Sequence, residues 1–376
     1  MNFLVIFFLL SPGLSFVSLI TGFYFPNDKI VHIFALGLSI FRGKINRIIL
    51  KRASIFFAAL GAVFSVRYIL FQNQPTSSDI NLLVSYSLLP FTALLFASSK
   101  SFLNALVNYA VFASFWAAAQ QILMNFGSQA LLQAMLTYPS QVEGTYIFSP
   151  WAPLLYRVPG FQLESSQFSF MLCVVLALMS IRTECFNRKK ATLFVASIIA
   201  NGSTAGFGGL LILVISLRSL GYRFLLYVFP VVLFLILVLL SYGLLDTQID
   251  KVRLLFELLK GVSDANINSD RVIGLLGVFD LITFSDLFFG LGLEFRGGHD
   301  FFSLMIVGIG ISGVGVLFSY FASFYSKGNI LLLTLLFFYS ISNGSLLDPI
   351  YHAVFLYFIL TYLERTDGRY YNYHGN

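Results

Sequence analysis

Apolar residues run in long blocks along this chain, and polar residues collect in two stretches between them, Gly127–Ser165 and Asp246–Gly298. A helix that crosses a bilayer needs about 20 mostly apolar residues. Blocks of that character fall near 2–21, 29–41, 53–72, 81–98, 102–126, 166–181, 191–203, 204–217, 224–245, 300–325, 329–344 and 347–363. The pattern predicts an all-α, polytopic transmembrane helix bundle of about twelve spans, a single integral membrane domain over residues 1–376 with two large loops on one side. The blocks at 29–41, 191–203 and 204–217 are short. The first block has no basic n-region, so it reads as a retained helix rather than a cleaved signal. Val272–Gly292 is also apolar apart from Asp280 and Asp286, but two carboxylates at membrane depth are costly. It is expected to lie at, or dip into, the outer interface. Ile249–Lys260 is amphipathic at helical spacing and reads as a second interfacial helix.

Composition sharpens this picture. The chain is 58 % hydrophobic and 11 % charged, with a mean hydropathy of +0.84, whereas soluble domains carry about 25 % charged residues. A membrane protein rather than a soluble fold is expected on that ground. The net charge of +6 is distributed as a topology signal. Arg42, Lys44, Arg47, Lys51, Arg52, Lys100, Arg182, Arg188, Lys189, Lys190, Arg218, Arg223, Lys327, Arg365 and Arg369 share one side if the N-terminus is inside. Lys29, Arg157, Lys251, Arg253, Lys260, Arg271 and Arg296 lie on the other, and Arg67 falls within a span. Basic residues favour the cytoplasmic side, so both termini are expected in the cytoplasm and both large loops, 127–165 and 246–298, outside. No nucleic-acid partner is implied. Cys173 and Cys185 support neither a disulfide nor a metal site, and no metal or cofactor motif stands in a fitting context.

Three stretches carry candidate chemistry. In Arg157–Gln167 (RVPGFQLESSQ), Pro159 and Gly160 break the backbone between Arg157 and Glu164, just before a span. The pair is either a loop salt bridge or a site where a planar, always-charged guanidinium meets a lipid diphosphate. Asn201–Gly209 (NGSTAGFGG) divides an apolar run into two short helices. Close packing through small residues accounts for most of it; alternatively, non-helical backbone lines a cavity, where Ser203 and Thr204 donate hydrogen bonds to a ligand. In Asn268–Gly315, Asp270 can cap a helix starting near Arg271. A Gly290-Leu291-Gly292 turn is followed by Glu294, Arg296, His299 and Asp300 at the mouth of a span. His299 can move protons near neutral pH, or it and Asp300 simply cap that span. Tyr138, Tyr146, Trp151 and Tyr156 put aromatic faces on the first outer loop, where aromatics are also ordinary interface belts, the preferred reading for Trp151.

The order R-x-x-G-x-x-x-E before a span, a later S-T-A-G helix break, and an outer loop with an arginine, a G-x-G turn and a histidine entering a span resemble the Wzy-type O-antigen polymerases. These belong with the O-antigen ligases in one superfamily of polytopic glycosyltransferases. The resemblance covers roughly Arg157–Gly315 and the span count, and it rests on the order of degenerate motifs. Asp300 stands where the superfamily often has asparagine, and the paired R-x10-G motifs of some polymerases are absent. The resemblance implies a glycosyltransferase-C-like fold in the bacterial inner membrane. It implies an enzyme that joins polyprenyl-diphosphate-linked oligosaccharide repeat units, with membrane lipids and a chain-length regulator protein as partners and no cofactor. His299, Glu164 and Asp300 are then the catalytic candidates. Arg157, Arg271, Arg296, Glu294, Ser203 and Thr204 are the substrate-binding ones. Two alternatives stay open: a ligase of the same superfamily, and a non-enzymatic flippase or transporter. Transporters usually show ionisable residues within spans, and here Arg67 and His32 are among few candidates.

Overall fold

In a computed structural model, residues 2–11, 27–42, 46–71, 76–126, 150–152, 155–162, 165–217, 283–291, 301–325, 330–342 and 348–366 are described. They are mostly helical, as runs of Leu, Phe, Ile and Ala with few interior breakers favour; Pro90 and Gly310 are breakers inside helices. The helices are α1 (Asn2–Leu10), α2 (Asn27–Phe41), α3 (Arg47–Phe71), α4 (Ser77–Ala93), α5 (Ser99–Phe126), α6 (Ser165–Ile181), α7 (Arg188–Asn201), α8 (Thr204–Leu217), α9 (Phe284–Phe289), α10 (Phe301–Ser323), α11 (Ile330–Ser342) and α12 (Pro349–Thr366). A two-stranded hairpin, β1 (Pro150–Ala152) with β2 (Leu155–Tyr156), precedes α6. The apolar block at 224–245 and the amphipathic Ile249–Lys260 lie outside the described residues.

Several boundaries depart from the apolar blocks, and local chemistry explains why. α4 begins at Ser77 rather than near 81 because Thr76 and Asp79 form a capping box, which satisfies two orphan donors at the helix start. α2 begins at Asn27, so Lys29, which the charge pattern assigned to an outer loop, is instead a helical residue only 7 % exposed. α7 stops at Gly202, whose left-handed backbone (φ 60°) ends the helix, and α8 starts two residues later. Of Val272–Gly292, only the one-turn helix α9 and its flanks are described. α9 is capped by Thr283 and Asp286 and packs on α10 and α3.

Two helices form the centre. α6 is buried from Phe168 to Ser180 and packs against α5, α7, α8, α11 and α12. α12 is buried almost throughout and touches α1, α4, α5 and α6. A helix apolar on every face belongs in such a position. The small-residue stretch of α8 is packing surface. A side chain added at Gly206 would meet Ser169, at Gly208 Phe338, and at Gly209 Cys173, each closer than 3.0 Å.

Among the described residues, two helices, Arg47–Ile69 and Ser99–Phe126, are long and apolar enough to cross a membrane. Apolar side chains fill the core and also cover much of the described surface. Ile55, Phe57, Ile69, Phe115, Ile122, Phe318 and Phe337 are exposed, while Arg67, Asp79, His32 and His352 are buried. Large exposed apolar surface is unusual on a soluble monomer.

Polar contacts gather the helix ends into two layers. At one end, Arg52 donates to Ser323 O (2.6 Å) and to the Tyr362 hydroxyl (2.7 Å). There too, Glu364 accepts from Ser99 N–H (2.6 Å) and from Arg182 (2.9 Å). The starts of α3 and α5 therefore lie beside the ends of α6, α10 and α12. The end of α5, the end of α7 and the start of α4 occupy the opposite layer, as the next contacts show.

Candidate functional site

The stretch Tyr156–Gln162 is strapped across the second layer by side chains that sequence reasoning did not single out. Near the end of α5, Gln120 Oε1 accepts from Gly160 N–H (3.0 Å), and its Nε2 donates back to Gly160 O (3.2 Å). Gln121 Oε1 accepts from Tyr156 N–H (2.9 Å), and its Nε2 donates to Tyr156 O. Asn201, the last residue of α7, accepts from Val158 N–H (2.6 Å) and donates to Ser165 O (2.9 Å) and Ser169 Oγ (2.8 Å). Gln162 Nε2 donates to Leu10 O (2.6 Å). Each amide side chain supplies both a donor and an acceptor, so three of them satisfy a non-helical strand of backbone inside an apolar bundle, as low-dielectric surroundings demand. Gly160 takes φ 61° with its Cα against Phe168. Phe161 then stacks on Trp116 (centroids 5.1 Å apart) and Phe112 (5.3 Å).

Arg157 is carried on this strap, flanked by the two clamped residues Tyr156 and Val158. It is half-buried, and its Nε is buried with no hydrogen-bond partner among the described residues. The structure thus brings together two motifs that the sequence held apart: the Arg157 stretch and the break after Asn201 meet through Asn201 itself. Ser203 lies two residues beyond, buried at 3 % exposure. The backbone of Thr204 opens α8. Glu164, Arg271, Glu294, Arg296, His299 and Asp300 lie outside the described residues, as do Tyr138, Tyr146, Asp270, Asp280 and the side chains of Trp151 and Thr204.

The Gly290 turn, at the end of the second loop, meets a kink in α10. Gly310 takes φ 70° and ψ 169° inside that helix. A side chain at Gly290 would lie closer than 3.0 Å to Gly308 O, and one at Gly310 equally close to Phe288 O. Ser312 Oγ donates to Phe288 O (2.6 Å). Arg67, reaching from α3, donates to Gly308 O (3.0 Å) and pairs with the buried Asp79. The arginine that sequence placed within a span is therefore a fastener of the kinked helix.

A second polar centre lies between α2, α4 and α12. Asp28 Oδ2 is 2.8 Å from Lys29 Nζ, 3.9 Å from His32 Nε2 and 4.0 Å from His352 Nδ1. Lys29 also donates to Ser85 Oγ. His32 Nδ1 is 2.8 Å from Thr92 Oγ1, and the two imidazole rings meet edge to face with centroids 5.7 Å apart. Sequence reasoning noted His32 as an ionisable residue within a span and Lys29 only as an outer basic residue. The Asp28–His32 spacing of four was the available signal, since it puts both on one helix face.

The two cysteines behave as expected of unpaired thiols. Cys173 is buried in α6, and Cys185 is partly exposed in the turn after it. Burial and the nearby Glu184 carboxylate push the Cys185 thiol up from its ordinary value. Comparison with known proteins finds no matching family model, no matching curated protein and no matching solved structure.

Proposed function

We propose that this chain is a polytopic membrane glycosyltransferase that joins polyprenyl-diphosphate-linked oligosaccharide repeat units into a surface polysaccharide on the outer face of a bacterial cytoplasmic membrane. The observation that carries the reading is Arg157. A half-buried guanidinium is presented on a backbone strap clamped by Gln120, Gln121 and Asn201, at the bundle end opposite Arg52 and Arg182. Both substrates are part lipid and part sugar, so a site at the end of the spans suits them. A fixed arginine can bind a diphosphate and stabilise its charge as it leaves. Arg271 and Arg296 serve the same groups, with Glu294, Ser203 and Thr204 as further binding residues. The attacking hydroxyl loses its proton to His299, Glu164 or Asp300. The basic residues at the Arg52–Arg182 end, by the positive-inside rule, put that end in the cytoplasm.

Deletion of the gene followed by sizing of the surface glycan tests this. Loss of long chains with single repeats still attached is expected, whereas loss of all attached glycan would indicate a ligase or a flippase. In complemented cells, Arg157→Ala should abolish polymer at unchanged protein level. Arg157→Lys, which keeps charge but loses the planar fork, should also impair it. Normal chain length in Arg157→Ala would remove the assignment.

One observation favours the transporter reading. Asp28, Lys29, His32, Arg67, Asp79 and His352 are all charged or ionisable side chains held among the helices, the placement typical of ion and substrate pathways. Transfer of a lipid-linked oligosaccharide across vesicles by the purified protein, without polymer formation, would establish it instead.

A further inference from the structure

The centre between α2 and α12 has an arrangement that partners among the described residues leave incomplete. His32 Nδ1 is engaged by Thr92, while Nε2 faces Asp28. Nδ1 is therefore taken, and Nε2 is the ring nitrogen left for a ligand. It faces a carboxylate oxygen of Asp28 3.9 Å away. His352 Nδ1 faces the same oxygen at 4.0 Å. Both imidazoles are at least 99 % buried, and His32 Nε2, His352 Nδ1 and His352 Nε2 have no hydrogen-bond partner among the described residues. Buried ring nitrogens without hydrogen-bond partners are costly. A cation at their centre removes that cost.

We propose that Asp28, His32 and His352 form a binding site for a divalent first-row transition-metal ion, Zn2+ by its nitrogen-and-carboxylate ligand set, which fastens α2 to α12. One ligand atom from each residue lies within 4.8 Å of the others. An ion at the centre of that triangle sits roughly half an ångström farther from each than the ~2.0–2.1 Å of zinc–imidazole bonds, a gap that rotamer adjustment closes. Thr92 fixes the ring of His32 from behind, as the outer partners of metal-bound histidines do. Two histidines and one carboxylate leave a fourth position for water. Lys29 is the competitor. Its ammonium holds the same Asp28 oxygen, and Ser85, its other partner, gives it a place when the metal takes that oxygen.

The test uses the untagged full-length protein purified in detergent, with Co2+ as a spectroscopic probe and Zn2+ as its displacer. One tightly held Co2+ per chain is expected, and Zn2+ should raise the unfolding temperature in proportion to its occupancy. His32→Gln and His352→Gln, which keep side-chain volume and a polar head, should each weaken uptake by about 10-fold or more. His374→Ala should leave uptake unchanged. Lys29→Met should tighten uptake by about 10-fold or more, because it removes a like charge within a few ångströms of the ion. Failure of the wild-type protein to take up stoichiometric Co2+ overturns the proposal. So does equal uptake by the His32→Gln/His352→Gln double variant, or unchanged affinity in Lys29→Met.

Discussion

At the scale of single residues, the described part of the bundle depends on polar side chains placed where hydrocarbon would be the default. Arg67 and Asp79 are both fully buried. Burying the two charges costs several kcal/mol apiece, which their attraction, the Gly308 carbonyl and the Thr76 amide offset. Removing one partner strands the other. Arg67→Met should therefore destabilise the protein by about 3–5 kcal/mol, read as a lower unfolding temperature in detergent. The double variant Arg67→Met/Asp79→Asn, which removes the stranded charge but keeps an acceptor for the Thr76 amide, should recover much of that loss. A double variant as unstable as the single one would show that the Gly308 hydrogen bond, not the ion pair, is what matters. Asn201 is similar in kind. It was visible in sequence only as the first letter of a small-residue stretch, and its use as a clamp depends on where Val158, Ser165 and Ser169 lie.

Among the elements, glycine separates necessity from accident. At Gly37 in α2 and Gly61 in α3 a β-carbon would meet nothing within 4 Å. Gly290 and Gly310 have positive φ, and a β-carbon at either would lie closer than 3.0 Å to a backbone carbonyl oxygen. Gly37→Ala and Gly61→Ala should be neutral or stabilising by up to about 1 kcal/mol, since alanine is the better helix former. Gly290→Ala or Gly310→Ala should cost about 1–3 kcal/mol from backbone strain, more with the clash, and should release the α9 turn from α10. Equal unfolding temperatures across the four variants would contradict the observed kink. The sequence showed the Gly290 turn and the glycine-rich α10, but not that one closes on the other.

For the whole molecule, the two-layer arrangement makes a topology prediction. In the proposed orientation, with the Arg52–Arg182 end in the cytoplasm, a reporter active only outside should work when fused after Glu143 or Asp264 and stay silent after Lys190 or Arg369. A signal after Arg369 would mean that Val272–Gly292 spans the membrane. The native thiols give an independent check. Cys173 is buried and should not react, so Cys185 should be labelled by a membrane-permeant maleimide and spared by an impermeant one in intact cells. Because its thiol is pushed up, less thiolate is present at neutral pH, and labelling should be slower than for a free thiol and accelerate as pH rises.

Apolar periodicity and glycine or proline breaks are local, so the chain by itself determined that it forms helices, roughly where they lie, and that a break separates α7 from α8. Composition determined that the bundle's surface is apolar, and the Arg157 stretch was legible as a broken backbone before a span. What the tertiary structure decided is which polar residues meet. Asp28 and His32 reach His352 from the far end of the chain, Gln120 reaches Gly160, and Arg67 reaches Gly308. Those meetings follow from the order in which helices pack around α6 and α12. No local pattern encodes that order, because every apolar helix face offers nearly the same driving force and only the few polar pairings distinguish one neighbour from another.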